Sequence, residues 1–193
     1  VTGIPRTALT AHIQQLLRAG VLQEDALCAS SGGRPFRPIA LADSGVLLLA
    51  ELGATSITVG IASSRGELLT HIERAASIRS APQAILTAVA SMFDELLRTH
   101  AHDRPVWAVG MSFPGPIEFA SGSPIAPSGL PEWDGFPIRA FFQERFDAPA
   151  WIDNDVNVLA LAEIRQGTAH GAAEAMVVKV GTGIGVGLIA AHA

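Results

Sequence analysis

The 193-residue sequence has very little cysteine, Cys28 alone, and a single lysine, Lys179. One cysteine cannot form an internal disulfide, and it cannot supply a cysteine-rich zinc site. The sequence also lacks an apolar run of the roughly 18 residues needed to cross a bilayer, and its start has no secretory signal pattern. These absences predict a cytoplasmic protein that does not enter a membrane.

The composition is that of a folded protein, with 49% hydrophobic and 16% charged residues. Such a chain buries a core and forms one or two domains. The net charge of −5 is unevenly spread, because the first 44 residues (hereafter the head) carry four arginines against three acidic residues. A basic head on an acidic body (residues 45–193) suggests that the head contacts a polyanion. Since the chain opens on Val1, we expect that something preceded it.

A glycine-rich stretch, VVKVGTGIGVGLI, spans residues 177–189. Alternating glycines between β-branched residues predict two strands joined by a tight turn, with positive φ angles and room for a ligand against the backbone. A Walker A loop is excluded because Lys179 precedes the glycines. A Rossmann fingerprint is excluded because the sixth position from Gly181 is Val186. A phosphate-binding turn and a plain turn both remain open.

The head begins with an amphipathic pattern that predicts one helix ending near Gly20. Its apolar stripe comprises Leu9, Ile13, Leu16 and Leu17. Its opposite face presents side chains that suit phosphates and base edges, namely Arg6, Thr7, Thr10, His12 and Gln14. A Ser/Gly/Pro turn with Arg34 and Arg37 follows. Helix and hairpin in this order indicate a winged helix that reads both DNA grooves, and an ordinary solvated face is the alternative.

From Gly45 onward the pattern changes to three strands that are expected to form an antiparallel meander, with turns near Gly53 and at residues 64–66. A buried strand, a short helix and a strand running into a further helix follow a helix predicted within residues 81–101. The residues of that helix that are spaced for burial are Ile85, Val89, Met92, Phe93 and Leu96. Strands that alternate with helices indicate an α/β layered architecture. The Pro- and Gly-rich loop of residues 121–133 is predicted to face a ligand.

Four polar residues cluster where the last of these strands enters its helix, namely Asp153, Asn154, Asp155 and Asn157. The N–H groups and dipole of a helix N-terminus favour an ionised carboxylate. Asp155 is therefore predicted to accept a proton or a hydrogen bond from a ligand hydroxyl. Capping of the helix is the alternative, but one cap suffices and four polar residues exceed that need.

Five segments, in this order and spacing, resemble the ROK family of sugar kinases and transcription regulators: ELGATSITVGI, GMSFPGPIE, LPEWDGFPI, DNDVNVLALAE and VGTGIGVGLI. The head resembles the winged helix of the regulator branch. The resemblance implies an α/β fold, an actin-like (ribonuclease H-like) ATPase domain preceded by a partial winged helix-turn-helix. The DNA-binding domain would span 1–44, and residues 45–193 would form the N-terminal lobe and the start of a truncated second lobe.

The resemblance also implies roles for individual residues. Phosphate-binding positions fall on Gly53, Ala54, Thr55, Gly181, Thr182 and Gly183. Sugar-binding positions fall on Pro114, Gly115, Asn154 and Asp155, and Asp155 would be the catalytic base of a kinase. DNA-binding positions fall on Arg6, Thr7, Thr10, His12 and Arg34. No metal ligand is expected in this chain; ATP and magnesium are implied only for a kinase, and the family's zinc segment lies outside it.

Departures from the kinase pattern favour the regulator branch. Kinases of the family usually read Asp-x-Gly-Gly-Thr where this chain has Glu51 and Ala54, which misplace a carboxylate and crowd a phosphate. Gly129 replaces a common sugar-binding asparagine. The sequence therefore predicts a sugar-responsive, DNA-binding transcription regulator, which we expect to be a repressor. It would act as a homodimer or a higher homo-oligomer, and its partners would be operator DNA and a sugar or phosphosugar effector. An ATP-dependent, glucokinase-like sugar kinase is the alternative.

Overall fold

A computed structural model describes residues 4–28 and 35–190, so the predicted DNA contact Arg34 lies outside the described residues. The head contains the predicted helix α1 (Arg6–Arg18), which ends at a glycine of positive φ, Gly20. Strands β1 (Leu22–Glu24) and β2 (Ile39–Leu41) follow as an antiparallel pair. A helix and a two-stranded ribbon are thus present, whereas a complete winged helix is not shown.

The body is built on a mixed five-stranded sheet in the order β5-β4-β3-β6-β9, which confirms the predicted α/β class. Its strands are β3 (Val46–Leu52), β4 (Ser56–Ser63), β5 (Leu68–Ala75), β6 (Val106–Phe113) and β9 (Ala150–Asn154). The first three form the predicted antiparallel meander, while β6 and β9 run parallel to β3. Short strands β7 (Ile117–Glu118) and β8 (Ser123–Pro124) pair separately.

Three helices accompany the body, namely α2 (Pro82–His100), α3 (Ile138–Phe146) and α4 (Asp155–Gln166). The amphipathic spacing of α2 buries the predicted positions Ile85, Val89, Met92, Phe93 and Leu96. They join one core with alternate residues of β3, because successive side chains of a strand point to opposite faces. Within the described residues, no helix combines the length and apolarity that a membrane span needs.

The sheet brings the ends of three strands to one edge. Because β3, β6 and β9 are parallel, their carboxyl ends meet, and Ser112 pairs with both Glu51 and Asp153. The loops that follow these strands therefore converge, and such an edge is where α/β sheets bind ligands.

Strands β10 (Ala175–Val180) and β11 (Ile184–Ile189) form the predicted glycine hairpin as a separate ribbon on α4. One expectation was wrong, because none of its glycines has a positive φ. Gly185 and Gly187 instead allow close packing, since a Cβ on Gly187 would lie 2.4 Å from the Val156 carbonyl oxygen. Gly181 and Gly183 face open space.

The head joins the body at the amino end of β3. The Ser44 hydroxyl donates to the Gly20 carbonyl at 2.7 Å, and Arg104 donates to the Gly45 carbonyl at 2.8 Å while pairing with the Asp43 carboxylate. The seven-residue strand β3 separates this junction from the carboxyl edge by about 20 Å.

Candidate functional site: a crevice at the carboxyl edge of the sheet

A crevice of about 610 Å³ lies at the carboxyl edge of the sheet. It is lined by every residue of the body to which the family resemblance assigns a phosphate or sugar contact, namely Gly53, Ala54, Thr55, Pro114, Gly115, Asn154, Asp155, Gly181, Thr182 and Gly183. Loops distant in the sequence thus share one concave surface. Their individual roles stay predictions.

Asp155 is the first residue of α4 and its side chain is only 18% exposed. Its Oδ1 accepts a hydrogen bond from the Val156 amide at 2.9 Å, as expected for an acidic residue in the first turn of a helix. Its Oδ2 accepts a hydrogen bond from the Lys179 ammonium, also at 2.9 Å. Both carboxylate oxygens are therefore engaged within the protein.

Lys179 is a site residue that the sequence reading missed. Its Nζ contacts Glu51 Oε1 at 3.4 Å in addition to Asp155, so one ammonium bridges two carboxylates. The hydrogen bond to Asp155 and the charges of both carboxylates raise the pKa of Lys179, while its partial burial acts in the opposite direction. The available signal was strand alternation, which places Lys179 on the same face of β10 as the partly buried Val177.

The other polar residues of the 153–157 cluster stabilise the strand-to-helix turn. Asn154 Oδ1 accepts from the Val156 amide at 3.1 Å, so the capping alternative holds for this residue. Its Nδ2 donates to the Gly115 carbonyl at 2.8 Å, which ties the helix N-terminus to the loop after β6. Asp153 Oδ1 accepts a hydrogen bond from the side-chain Nδ2 of Asn157 at 3.0 Å. Of the four, Asn154 and Asp155 line the crevice.

Arg79, in the loop between β5 and α2, also lines the crevice and was not predicted. One guanidinium nitrogen donates to the Gly129 carbonyl at 3.1 Å. Gly129 has a φ of +71°, a conformation that favours glycine. The contact joins positions 50 residues apart, so no local pattern could reveal it.

The predicted DNA contacts of α1 lie away from the crevice lining. Arg6, Thr7, Thr10 and His12 are all exposed. The Thr10 hydroxyl donates to the Arg6 carbonyl one turn earlier, at 2.9 Å. The apolar stripe of α1 is not buried by the part of the chain that the structure describes, since Leu9 and Leu16 are 37% and 40% exposed.

Known proteins similar to this chain include both sugar kinases and transcription regulators. The sequence model of the ROK family matches residues 48–193. A glucokinase of Halalkalibacterium halodurans is 28% identical over 72% of the chain, and a xylose repressor of Caldicellulosiruptor bescii is 26% identical over 91%. The solved structure of a ROK family transcriptional regulator, a homologue of the E. coli MLC protein, superposes with a TM-score of 0.79 at 19% identity and covers 97% of the chain.

The chain spans less than half the length of each of these proteins. It covers 42% of the glucokinase, 44% of the xylose repressor and 48% of the solved regulator. The similarity in architecture to both kinases and regulators supports an actin-like fold of the body. Among residues 4–28 and 35–190, no cluster of three or more His, Cys, Asp or Glu side chains is arranged to hold a metal ion.

Proposed function

The chain belongs to the ROK family, and we propose that it is a sugar-responsive, DNA-binding transcription regulator that has no sugar kinase activity. The Lys179–Asp155 ion pair carries this proposal. A kinase of this kind needs a carboxylate that is free to accept the proton of the attacking hydroxyl. Here the ammonium lies 2.9 Å from that carboxylate. Asp155 is thus placed to bind a hydroxyl without removing its proton.

Magnesium, which a kinase would require, does not fit the residues present. Glu51 and Asp155 are the carboxylates beside the glycine loops, and both are already bound by the Lys179 ammonium. A divalent cation between them would have to displace that positive charge. Because phosphoryl transfer depends on accurate positioning and charge neutralisation, this arrangement favours binding over catalysis.

The head supports the DNA-binding part of the proposal. The repressor alignment covers 91% of the chain, more than residues 48–193 contain, and so it extends into the head. The glucokinase alignment covers 72%, about the share of the family domain alone. We assign residues 1–44 to a partial winged helix, with α1 for the major groove, and 45–193 to the lobe that binds the effector.

Regulation then consists of coupling between two distant sites. A sugar or phosphosugar in the crevice alters operator affinity only if it binds two states of the protein unequally. Strand β3 links the two sites directly, since it begins at the junction with the head and ends at the first glycine loop. A homodimer would present two heads to a two-fold symmetric operator.

The test is a mobility-shift assay of the intact protein on its own promoter with a panel of sugars. We expect one sugar to change operator affinity. We expect Asp155→Ala to weaken the binding of that sugar at least tenfold, measured by calorimetry, because the substitution removes a charged hydrogen-bond acceptor. Asp94→Ala, which removes an exposed carboxylate paired with Arg145 on the surface, is the matched control. Normal sugar affinity in Asp155→Ala contradicts the assigned role.

An ATP-dependent sugar kinase is the second candidate, favoured by the glucokinase similarity and by the position of Asp155. We expect no phosphorylation of any sugar that binds. Turnover near the enzyme median of about 10 s⁻¹ would establish this alternative instead.

A further inference from the structure

We infer that the crevice selects a sugar that carries a negatively charged group, a phosphate or a carboxylate, and that Arg79 is the residue that selects it. The inference rests on the proposed function, because it takes the crevice as a sugar site and narrows the class of sugar. Arg79 lines the crevice together with Asn154 and Asp155.

The Arg79 guanidinium is held at the crevice wall and keeps unused donors. One nitrogen donates to the Gly129 carbonyl at 3.1 Å. A Cβ on Gly129 would lie 3.6 and 3.8 Å from the two terminal guanidinium nitrogens, an ordinary van der Waals separation, so the guanidinium lies directly against the Gly129 backbone. A guanidinium has five N–H donors in a planar fork. Several donors therefore stay available to a ligand.

The charge of Arg79 is not neutralised by the protein. Within residues 4–28 and 35–190, no carboxylate oxygen lies within 4 Å of its guanidinium, whereas Arg74, Arg104, Arg145 and Lys179 all have acidic partners. A cation that lines a crevice and is held there by a single carbonyl matches an anionic ligand group better than a neutral hydroxyl.

The remaining charges of the crevice do not oppose an anion. The two carboxylates nearest the glycine loops, Glu51 and Asp155, share the Lys179 ammonium. With Arg79 included, these two positive and two negative side chains balance, and Glu51 is not itself part of the crevice lining. The hydroxyl-bearing Ser77 and Ser128 line the same crevice. The fork of Arg79 suits bidentate recognition of a phosphate or a carboxylate.

The experiment is a calorimetric titration of the intact protein with matched sugars. Each neutral hexose or pentose is compared with its terminal phosphate and with its uronic acid, and inorganic phosphate is included as a probe of the charge alone. We expect one anionic form to bind at least tenfold tighter than its neutral parent. The phosphate and uronate arms then distinguish the two sources of charge.

Two variants locate the selection at Arg79. Arg79→Gln is expected to reduce the affinity for the anionic sugar to that for the neutral parent, so that the tenfold preference disappears. Arg74→Gln, which removes an exposed arginine paired with Glu95, is expected to leave both affinities unchanged. Circular dichroism checks that both variants are folded.

The outcomes separate this inference from the proposed function. Equal binding of neutral and anionic forms, an undiminished preference in Arg79→Gln, or inorganic phosphate binding as tightly as the phosphosugar each overturns the inference. If a neutral sugar binds and still depends on Asp155, the proposed function stands alone. If no sugar of any class binds the folded protein, both are overturned.

Discussion

At the scale of single residues, the lone lysine explains most about the site. Lys179 contacts Glu51 on strand β3 of the five-stranded sheet and Asp155 at the start of α4, and so it connects these two elements. It supplies one positive charge where two negative charges would otherwise face each other. In the proposed function, the same contact makes Asp155 a hydrogen-bond acceptor rather than a base. We therefore expect ligand binding and local stability to depend on this one ammonium group.

Replacement of Lys179 by methionine is expected to lower the free energy of unfolding by less than about 1 kcal/mol, because the lysine side chain is 41% exposed and solvent screens the pair. The contacts raise the pKa of Lys179 above its ordinary value of 10.5. The stabilisation is therefore complete below the pKa of the unfolded chain and is lost as pH rises through the folded one. Urea denaturation at pH 8 and at successively higher alkaline pH measures this.

The same pH series can also contradict this prediction. If the difference between wild type and Lys179→Met stays constant into the alkaline range, the ion pair does not stabilise the fold. Lys179→Arg, which keeps the charge, is the control and is expected to lose no more than a few tenths of a kcal/mol.

Single residues also mark the limit of prediction from the sequence. Asp155 was predictable because a strand running into a helix defines a helix N-terminus locally. Arg79 and Lys179 were not, because their roles arise from contacts with Gly129 and Glu51, which are 50 and 128 positions away. Local patterns carry no information about such pairs.

At the scale of elements, the hairpin β10–β11 shows how glycine spacing serves packing. Strand alternation turns Gly185 and Gly187 toward α4, where Val156 and Ala160 leave no room for a side chain. Gly181 and Gly183, nearer the turn, have open space beside them and line the crevice. The sequence predicted the hairpin correctly because periodicity defines strands. It did not reveal the packing role of Gly185 and Gly187, since packing partners are not visible in a local pattern.

Substitution of Gly187 by valine is expected to destabilise the protein by about 1–3 kcal/mol, the usual cost of overpacking. Even the first carbon of the new side chain would lie 2.8 Å from the Ala160 Cβ. Gly181→Ala is the matched control, since nothing lies within 4 Å of its added Cβ. Chemical denaturation of both variants tests this, and equal midpoints would contradict the packing role of Gly187.

At the scale of the whole molecule, the head and the crevice occupy opposite ends of β3. The convergence of the loops comes from the parallel pairing of β3, β6 and β9, which the structure gives. The α/β class, the meander and the helix positions followed from hydrophobic periodicity. The junction did not, because it depends on side-chain contacts such as the Trp107 indole, which a Cβ on Gly45 would strike at 2.2 Å. Any signal between the sites has to cross this junction.

We expect that substitution of Arg104 changes the effect of sugar on operator affinity without changing the affinity for the sugar itself. Arg104 bonds to the Asp43 and Gly45 carbonyls at 3.1 and 2.8 Å and pairs with the Asp43 carboxylate, so it ties the chain that enters β3. Because the crevice lies about 20 Å away, Arg104→Ala should leave sugar affinity within about twofold. Residues along a coupling route typically change coupling by about 0.5–2 kcal/mol.

The measured quantity is the ratio of operator affinities with and without saturating sugar, which we expect to shift by about two- to thirtyfold in Arg104→Ala. Arg98→Ala, in the last turn of α2 and without an acidic partner in the described chain, controls for loss of surface charge. An unchanged ratio in Arg104→Ala would place the coupling elsewhere. The separation along β3 requires that sugar binding at one end does not depend on Arg104 at the other. A parallel loss of sugar affinity in Arg104→Ala would contradict this.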